Sequence, residues 1–171
     1  MINKIWKSNN FFSSALLPLS FLYLLMIQIY RIIKYEKKCS VPVICVGNLT
    51  LGGAGKTPTV IKIREILSDY FEEIYVLIRG YKGKKKGPIL VKDNSTYEEV
   101  GEESLLHSKY GHTCVSKNKF YGANFCKDCG SDLIIMDDGL QSIDIKKDCK
   151  ILVIDENYRF GNKKIFPAGP L

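Results

Sequence analysis

The run Val41 to Val46 is apolar and rich in β-branched residues. It feeds directly into Gly47-Asn48-Leu49-Thr50-Leu51-Gly52-Gly53-Ala54-Gly55-Lys56-Thr57-Pro58. A short buried strand that empties into a glycine-rich turn and then a helix leaves few folds open, because both flanking elements must pack into one sheet-and-helix layer. Glycines 52, 53 and 55 let successive backbone amides turn toward one anion, and the helix beginning near Thr57 adds its dipole and unpaired N–H groups. The loop Thr50, Leu51, Gly52, Gly53, Ala54 and Gly55 is therefore read as a phosphate cradle. Lys56 would hold the β- and γ-phosphates of a nucleotide, and Thr57 would place its hydroxyl on Mg²⁺. Pro58 suits a first helical turn, and the helix is expected to run to about Tyr70. Against the strict pattern of a glycine, four residues and Gly-Lys-Ser/Thr, Thr50 stands where the first glycine would be.

A second strand-like run, Glu73 to Ile78, ends in Arg79-Gly80-Tyr81, and a later one, Asp132 to Met136, ends in Asp137-Asp138-Gly139. In parallel α/β sheets ligands sit beyond the carboxyl ends of the strands, so Asp137 and Asp138 are expected to face the phosphates and bind Mg²⁺ directly or through water. Without Gly55-Lys56-Thr57 upstream, a polar turn would explain them as well. Gly101-Glu102-Glu103-Ser104-Leu105-Leu106 reads as a helix start, where the dipole alone accounts for acidic residues. A phosphoryl acceptor also needs a carboxylate or histidine to take its proton, and this stretch is one of few candidates. The basic loop Lys82 to Lys86 is either a solvated turn or a contact for phosphates on a substrate or membrane. Strands are expected near 41–47, 73–78, 132–137 and 150–155, with helices between them: a parallel α/β sheet flanked by helices.

From Phe11 to Tyr30 there is no formal charge, while Lys4 and Lys7 precede the run and Arg31, Lys34, Lys37 and Lys38 follow it. Twenty residues suffice to span a bilayer, but Ser13, Ser14, Pro18, Ser20 and Gln28 dilute the run, so a helix lying in the membrane interface fits equally well. A core helix or a hairpin of a larger assembly is the alternative. The charge of +7 favours an anionic partner, either nucleotide phosphates or a headgroup surface. No aromatic-and-basic RNA-binding motif occurs, so nucleic acid is not an expected partner. The six cysteines are scattered and read as reduced thiols. Cys126 and Cys129 lack the second pair that a zinc ribbon needs. His107 and His112 are isolated and read as surface or helix-end residues.

The string Val41 to Pro58, with Gly47-Asn48 ahead of the loop and Thr50 at its first position, resembles the signature of the lipid A 4'-kinase (tetraacyldisaccharide 4'-kinase) family. Arg79-Gly80-Tyr81, Gly101 to Leu106, Asp137-Asp138-Gly139-Leu140-Gln141 and Phe166-Pro167-Ala168-Gly169-Pro170-Leu171 follow in the family's order. The resemblance implies a P-loop NTPase-like fold in two parts: 1–38 as an apolar, membrane-associated helical segment and 39–171 as the N-terminal kinase lobe. It implies ATP and Mg²⁺ as cofactors and transfer of the γ-phosphate to the 4' hydroxyl of a lipid A disaccharide precursor. The setting implied is the cytoplasmic face of a Gram-negative inner membrane. It also implies catalytic roles for Lys56 and Asp138.

Three departures stand out. The family has Gly-Asp-Glu where this chain has Gly101-Glu102-Glu103, and that Asp is its suspected base, so Glu102 would carry the role one methylene further out. Ser142 stands where the family commonly has histidine. The family continues past Leu171 into a C-terminal lobe, so a separate lobe is an implied partner and a catalytically inactive nucleotide- and membrane-binding fragment is the alternative. A GTPase is the weaker alternative: Asn118-Lys119 is followed by Phe120-Tyr121 rather than a guanine-reading motif.

Overall fold

Three five-residue strands with every residue apolar except at their ends form the centre of the molecule: β1 (Val43–Gly47), β2 (Ile74–Ile78) and, last in the chain, β5 (Leu133–Asp137). β-branched runs of this kind, buried on both faces, are the mark of a parallel sheet. The computed structural model describes residues 6, 10–33, 35–48, 55–156 and 159–171. Within them the other elements are helices α1 (Phe11–Ala15), α2 (Leu17–Ile33), α3 (Lys56–Leu67), α4 (Tyr97–Val100), α5 (Glu102–Ser108) and α6 (Lys119–Asp128), with strands β3 (Ile89–Leu90), β4 (Thr113–Val115) and β6 (Cys149–Leu152).

The sheet order is β3-β4-β2-β5-β1-β6. β5 lies between β1 and β2, parallel to both, with Val46 beside Asp137 and Leu77 beside Met136. Asp132 secures the entry to β5, its carboxylate accepting the Glu72 and Glu73 amides at 2.8 and 3.0 Å. Strand alternation then divides the side chains between two layers. Val43, Cys45, Tyr75, Leu77, Ile134 and Met136 pack with Ala123 and Cys126 of α6. The opposite face, which carries Ile135 and Asp137, is covered by α3, which packs on β1 and β5 and touches α5. Gly122 is where α6 approaches the sheet most closely, since a Cβ there would sit 2.7 Å from Leu77 Cδ1. The expected parallel sheet and its four strands are present. β3 and β4 are additional, and β3 joins antiparallel to β4 as an edge.

The chain divides into two compact units: 36–47 with 55–151, which holds the sheet, and 1–35, 48–54 and 152–171. In the second unit the apolar N-terminal run is not one helix. Asn10 caps α1, accepting the Ser13 amide at 2.8 Å, and α1 ends at Leu16. α2 restarts at Leu17, so Pro18 falls in a first turn where its missing N–H costs no bond. At 17 residues α2 is about 26 Å long, short of the roughly 30 Å hydrocarbon layer. Among the described residues no helix is long and apolar enough to cross a membrane. A spanning helix is thus not supported.

α2 instead clasps the C-terminal segment. The Ser20 hydroxyl donates to the Ile165 carbonyl at 2.8 Å and accepts the Ala168 amide at 3.1 Å. The Trp6 indole donates to the Pro167 carbonyl at 3.1 Å. Phe166 meets Tyr23 edge-on at 5.5 Å. The remaining surface of α2, including Phe21, Leu25, Met26 and Ile32, stays exposed.

A lysine sits within the layers. Lys119, at the start of α6, is buried, and its Nζ donates to the Leu77 carbonyl at 3.2 Å. Burial pushes its pKa down to about 8, against the opposing pull of Asp137. Between that value and the ordinary 10.5 the unfolded chain holds a proton that the folded chain has released, so rising pH favours the folded state. Compared with Lys119→Met in urea titrations, the wild type should gain roughly 3 kcal/mol of relative stability from pH 8 to 10.5 and none from pH 6 to 7.5.

Candidate functional site

The site lies where β1, β2 and β5 end together. β1 ends at Gly47, and a Cβ there would come 2.7 Å from the Leu140 side chain just past β5, so the two strand exits are in contact. Of the expected phosphate cradle, Thr50, Leu51, Gly52, Gly53 and Ala54 lie outside the described residues. Gly55, Lys56 and Thr57 lie within them. Gly55 is the N-cap of α3 at φ 79, in the left-handed region that suits glycine, and no side chain caps the helix. Its carbonyl accepts the Thr59 amide at 3.2 Å and the Thr59 hydroxyl at 2.8 Å. Lys56 and Thr57 open α3, with no acidic residue in that first turn.

The two aspartates have different settings. Asp138 is exposed at φ 56, its amide donates to the Val46 carbonyl at 2.9 Å, and a carboxylate oxygen lies 3.4 Å from Lys56 Nζ. Lys56 and Asp138, 82 positions apart in the chain, are therefore partners. Asp137 is 2% exposed, on the α3 face of β5. Its Oδ2 meets His107 Nε2 at 2.8 Å, whereas Oδ1 is buried with no hydrogen-bond partner among the described residues. His107 is in the last turn of α5, the helix end that the sequence suggested, but it is 1% exposed and bonded to Asp137, so its reading as an isolated or surface residue is corrected. His112 is more open and stacks on Tyr75 at 4.7 Å.

The Arg79-Gly80-Tyr81 and Gly101-Glu102 motifs meet. A Cβ on Gly101, at φ 85, would collide with the Tyr81 carbonyl, and one on Gly80, at φ 72, would meet Val115 and the Val100 carbonyl. The following loop is held to α4 by the Lys84 and Lys85 amides, which donate to the Glu98 and Glu99 carbonyls, and by Lys85 paired with Glu99 at 2.8 Å. Glu102 is the first residue of α5. It is exposed and, among the described residues, makes no hydrogen bond or ion pair.

A cavity of about 260 Å³ opens beside Asp138, lined by Arg79, Lys117, Lys119, Asp138, Gln141 and Ser142. Three cations against one carboxylate make it a site for an anion. Lys117 and Lys119 escaped the sequence reading because they follow β4, a three-residue strand without a periodic signal. Two basic residues between a strand and a helix in a parallel sheet are the cue that would have found them. Asp144 fixes the start of α6, accepting the Lys119 and Phe120 amides at 3.0 and 3.3 Å. Lys147 donates to the Ser142 carbonyl, and burial lowers its pKa. Among the described residues no group of three or more His, Cys, Asp or Glu side chains converges as a closed metal cage.

The family model for LpxK, tetraacyldisaccharide-1-P 4'-kinase, matches residues 12–171. A tetraacyldisaccharide 4'-kinase of Parvibaculum lavamentivorans is 43% identical over 157 residues, covering 91% of this chain and 46% of the relative. Another, of Nitrobacter winogradskyi, is 39% identical over 166 residues, with 96% and 49% covered. The crystal structure of LpxK from Aquifex aeolicus in complex with ATP superposes with a TM-score of 0.79 at 32% identity, covering 94% of this chain and 54% of that one. The chain spans about half the length of the curated relatives it matches. With the motifs, the sheet and the two strand exits in agreement with this match, the chain belongs to the tetraacyldisaccharide-1-P 4'-kinase family.

Proposed function

We propose that this chain is the nucleotide-binding part of an ATP-dependent kinase that phosphorylates the 4' hydroxyl of a tetraacyldisaccharide 1-phosphate in lipid A biosynthesis. The observation that carries the reading is the pairing of Lys56 with Asp138 at 3.4 Å, which joins the helix after the glycine-rich loop to the end of β5. In P-loop NTPases the lysine after the loop cradles the β- and γ-phosphates and an aspartate after a hydrophobic strand holds their Mg²⁺, so the two side chains belong side by side. The family match and the ATP complex of the Aquifex aeolicus relative support the same reading.

In this proposal the loop from Thr50 to Gly55 and the uncapped start of α3 receive the β- and γ-phosphates, and Lys56 turns from Asp138 to them. Arg79, Lys117 and Lys119 supply further positive charge in the adjoining cavity, where anionic oxygens of the transferring group or the acceptor would be held. Glu102, exposed at the start of α5, takes the proton of the 4' hydroxyl as that oxygen bonds to the γ-phosphorus and the bond to the β-phosphate oxygen breaks. The donor set fits Mg²⁺: Thr57, Asp137 and Asp138 offer hard oxygens, and Asp137 Oδ1 is buried without a partner. A site with few protein ligands is what Mg²⁺ takes when phosphates complete its shell. When bound, Mg²⁺ neutralises charge on the β- and γ-phosphates.

The exposed apolar surface of α2 is proposed to lie in the membrane interface on the cytoplasmic side of a bacterial inner membrane, with Arg31 at anionic headgroups. An acylated acceptor would be met there, and a separate C-terminal lobe is a proposed partner.

Three measurements test the proposal. Purified chain incubated with Mg-ATP and tetraacyldisaccharide 1-phosphate in detergent should give the 4'-phosphorylated product on thin-layer chromatography, and Lys56→Ala should abolish it while weakening ATP binding by about tenfold or more. ATP binding that depends on Lys56 without any transfer would leave this chain a nucleotide-binding fragment. Glu102→Gln should slow transfer by about 100-fold with ATP affinity unchanged. In sedimentation with anionic vesicles, changing Phe21 and Met26 together to Ser should lower the bound fraction at least about tenfold, as expected from the loss of two interfacial apolar side chains.

A further inference from the structure

His107 has no counterpart among the motifs that carry the resemblance, yet it makes the closest side-chain contact to either aspartate. Its Nε2 lies 2.8 Å from Asp137 Oδ2, and the two side chains are 1% and 3% exposed. The face that presents it is otherwise small or apolar, with Ser104 and Gly101 buried about one and two turns before. An aliphatic side chain would fill such a position, and an imidazole there costs free energy unless its polar atoms are satisfied. An ionised carboxylate can only accept, so an imidazole tautomer with its hydrogen on Nε2 satisfies the pair.

The contact divides the work of the carboxylate. With Oδ2 bonded to the imidazole, one Asp137 rotamer is favoured, and Oδ1 is left buried with no partner among the described residues. That geometry matches a metal-facing carboxylate oriented by an outer hydrogen bond. The same helix begins with Glu102, five residues and about 7.5 Å earlier along its axis, so one rigid element links the metal side to the acceptor side.

We propose that His107 is a positioning residue for the metal site: it fixes Asp137 so that Oδ1 faces the cation held with the nucleotide phosphates, and it locks α5 at that register. The inference rests on Asp137 being a metal ligand. Its bland rival is a core histidine satisfied by a nearby carboxylate, with no effect on metal binding.

The test is Mn²⁺ affinity, followed by electron paramagnetic resonance, for the 171-residue chain with a non-hydrolysable ATP analogue, beside the metal-free affinity for that analogue. Asp137→Asn and His107→Leu should each weaken Mn²⁺ binding by about tenfold or more, leaving metal-free nucleotide affinity unchanged. His107→Gln, whose amide N–H can reach the same oxygen, should restore affinity to within about threefold of the wild type. Loss of Mn²⁺ in Asp137→Asn but wild-type affinity in folded His107→Leu would overturn the inference alone, as would equal losses in His107→Gln and His107→Leu. An unaffected Asp137→Asn would overturn the metal reading and this inference with it. Should His107→Leu unfold, His107→Asn, too short to reach Asp137, takes its place against His107→Gln with the same two outcomes.

Discussion

Everything in the site depends on β5 pairing in parallel with β1 on one side and β2 on the other. In-register hydrogen bonding brings Val46 beside Asp137, so the carboxylates exit where the glycine-rich loop begins. A slip of one residue would turn Asp137 toward the α6 layer and bring Met136 to the α3 face. The register is held by more than the ladder. Asp132 anchors the start of β5, and the Asp138 amide, bonded to the Val46 carbonyl, anchors its end. Between them lie five residues buried on both faces.

The same end of the sheet gathers charge that a core would otherwise exclude. Lys119 and Asp137 are both buried there, and the low dielectric raises the cost of each charge and the strength of their attraction. Exposed Asp138 takes up Lys56, whereas buried Asp137 takes up His107. Adjacent aspartates of identical chemistry are thereby separated into an outward-facing partner for Lys56 and an inner carboxylate held by His107. The alternation of a strand, broken at Asp138 by a left-handed residue, is what sends them in different directions.

The central elements were legible because their signals are local. β1, α3, β2 and β5 show uninterrupted β-branched runs or a glycine-to-proline helix start; the three strands lie within two residues of expectation, and α3 starts where expected but ends at Leu67, three residues early. β3 and β4, of two and three residues, are too short to show a period and exist only because β2 offers an edge. The twenty uncharged residues at the N-terminus looked like one segment, but Asn10 and Pro18 each favour a helix start, which gives two helices with a break at Leu16. Glu102 was legible as a helix start with a free carboxylate. His107 was not, because nothing in the residues around it specifies a partner thirty positions away.

By itself the sequence determined the chemistry available: a strand, loop and lysine suited to phosphate, paired aspartates after an apolar strand, and an apolar stretch with basic flanks. These follow from residue type and spacing over a few positions, where backbone propensity and periodicity act. Tertiary structure alone decided which groups meet. Lys56 with Asp138, His107 with Asp137, and Arg79 with Lys117 and Lys119 around one cavity are all contacts between segments far apart in the chain. Their formation depends on strand order and helix placement, which are set by burial of the whole sheet rather than by any local run of residues.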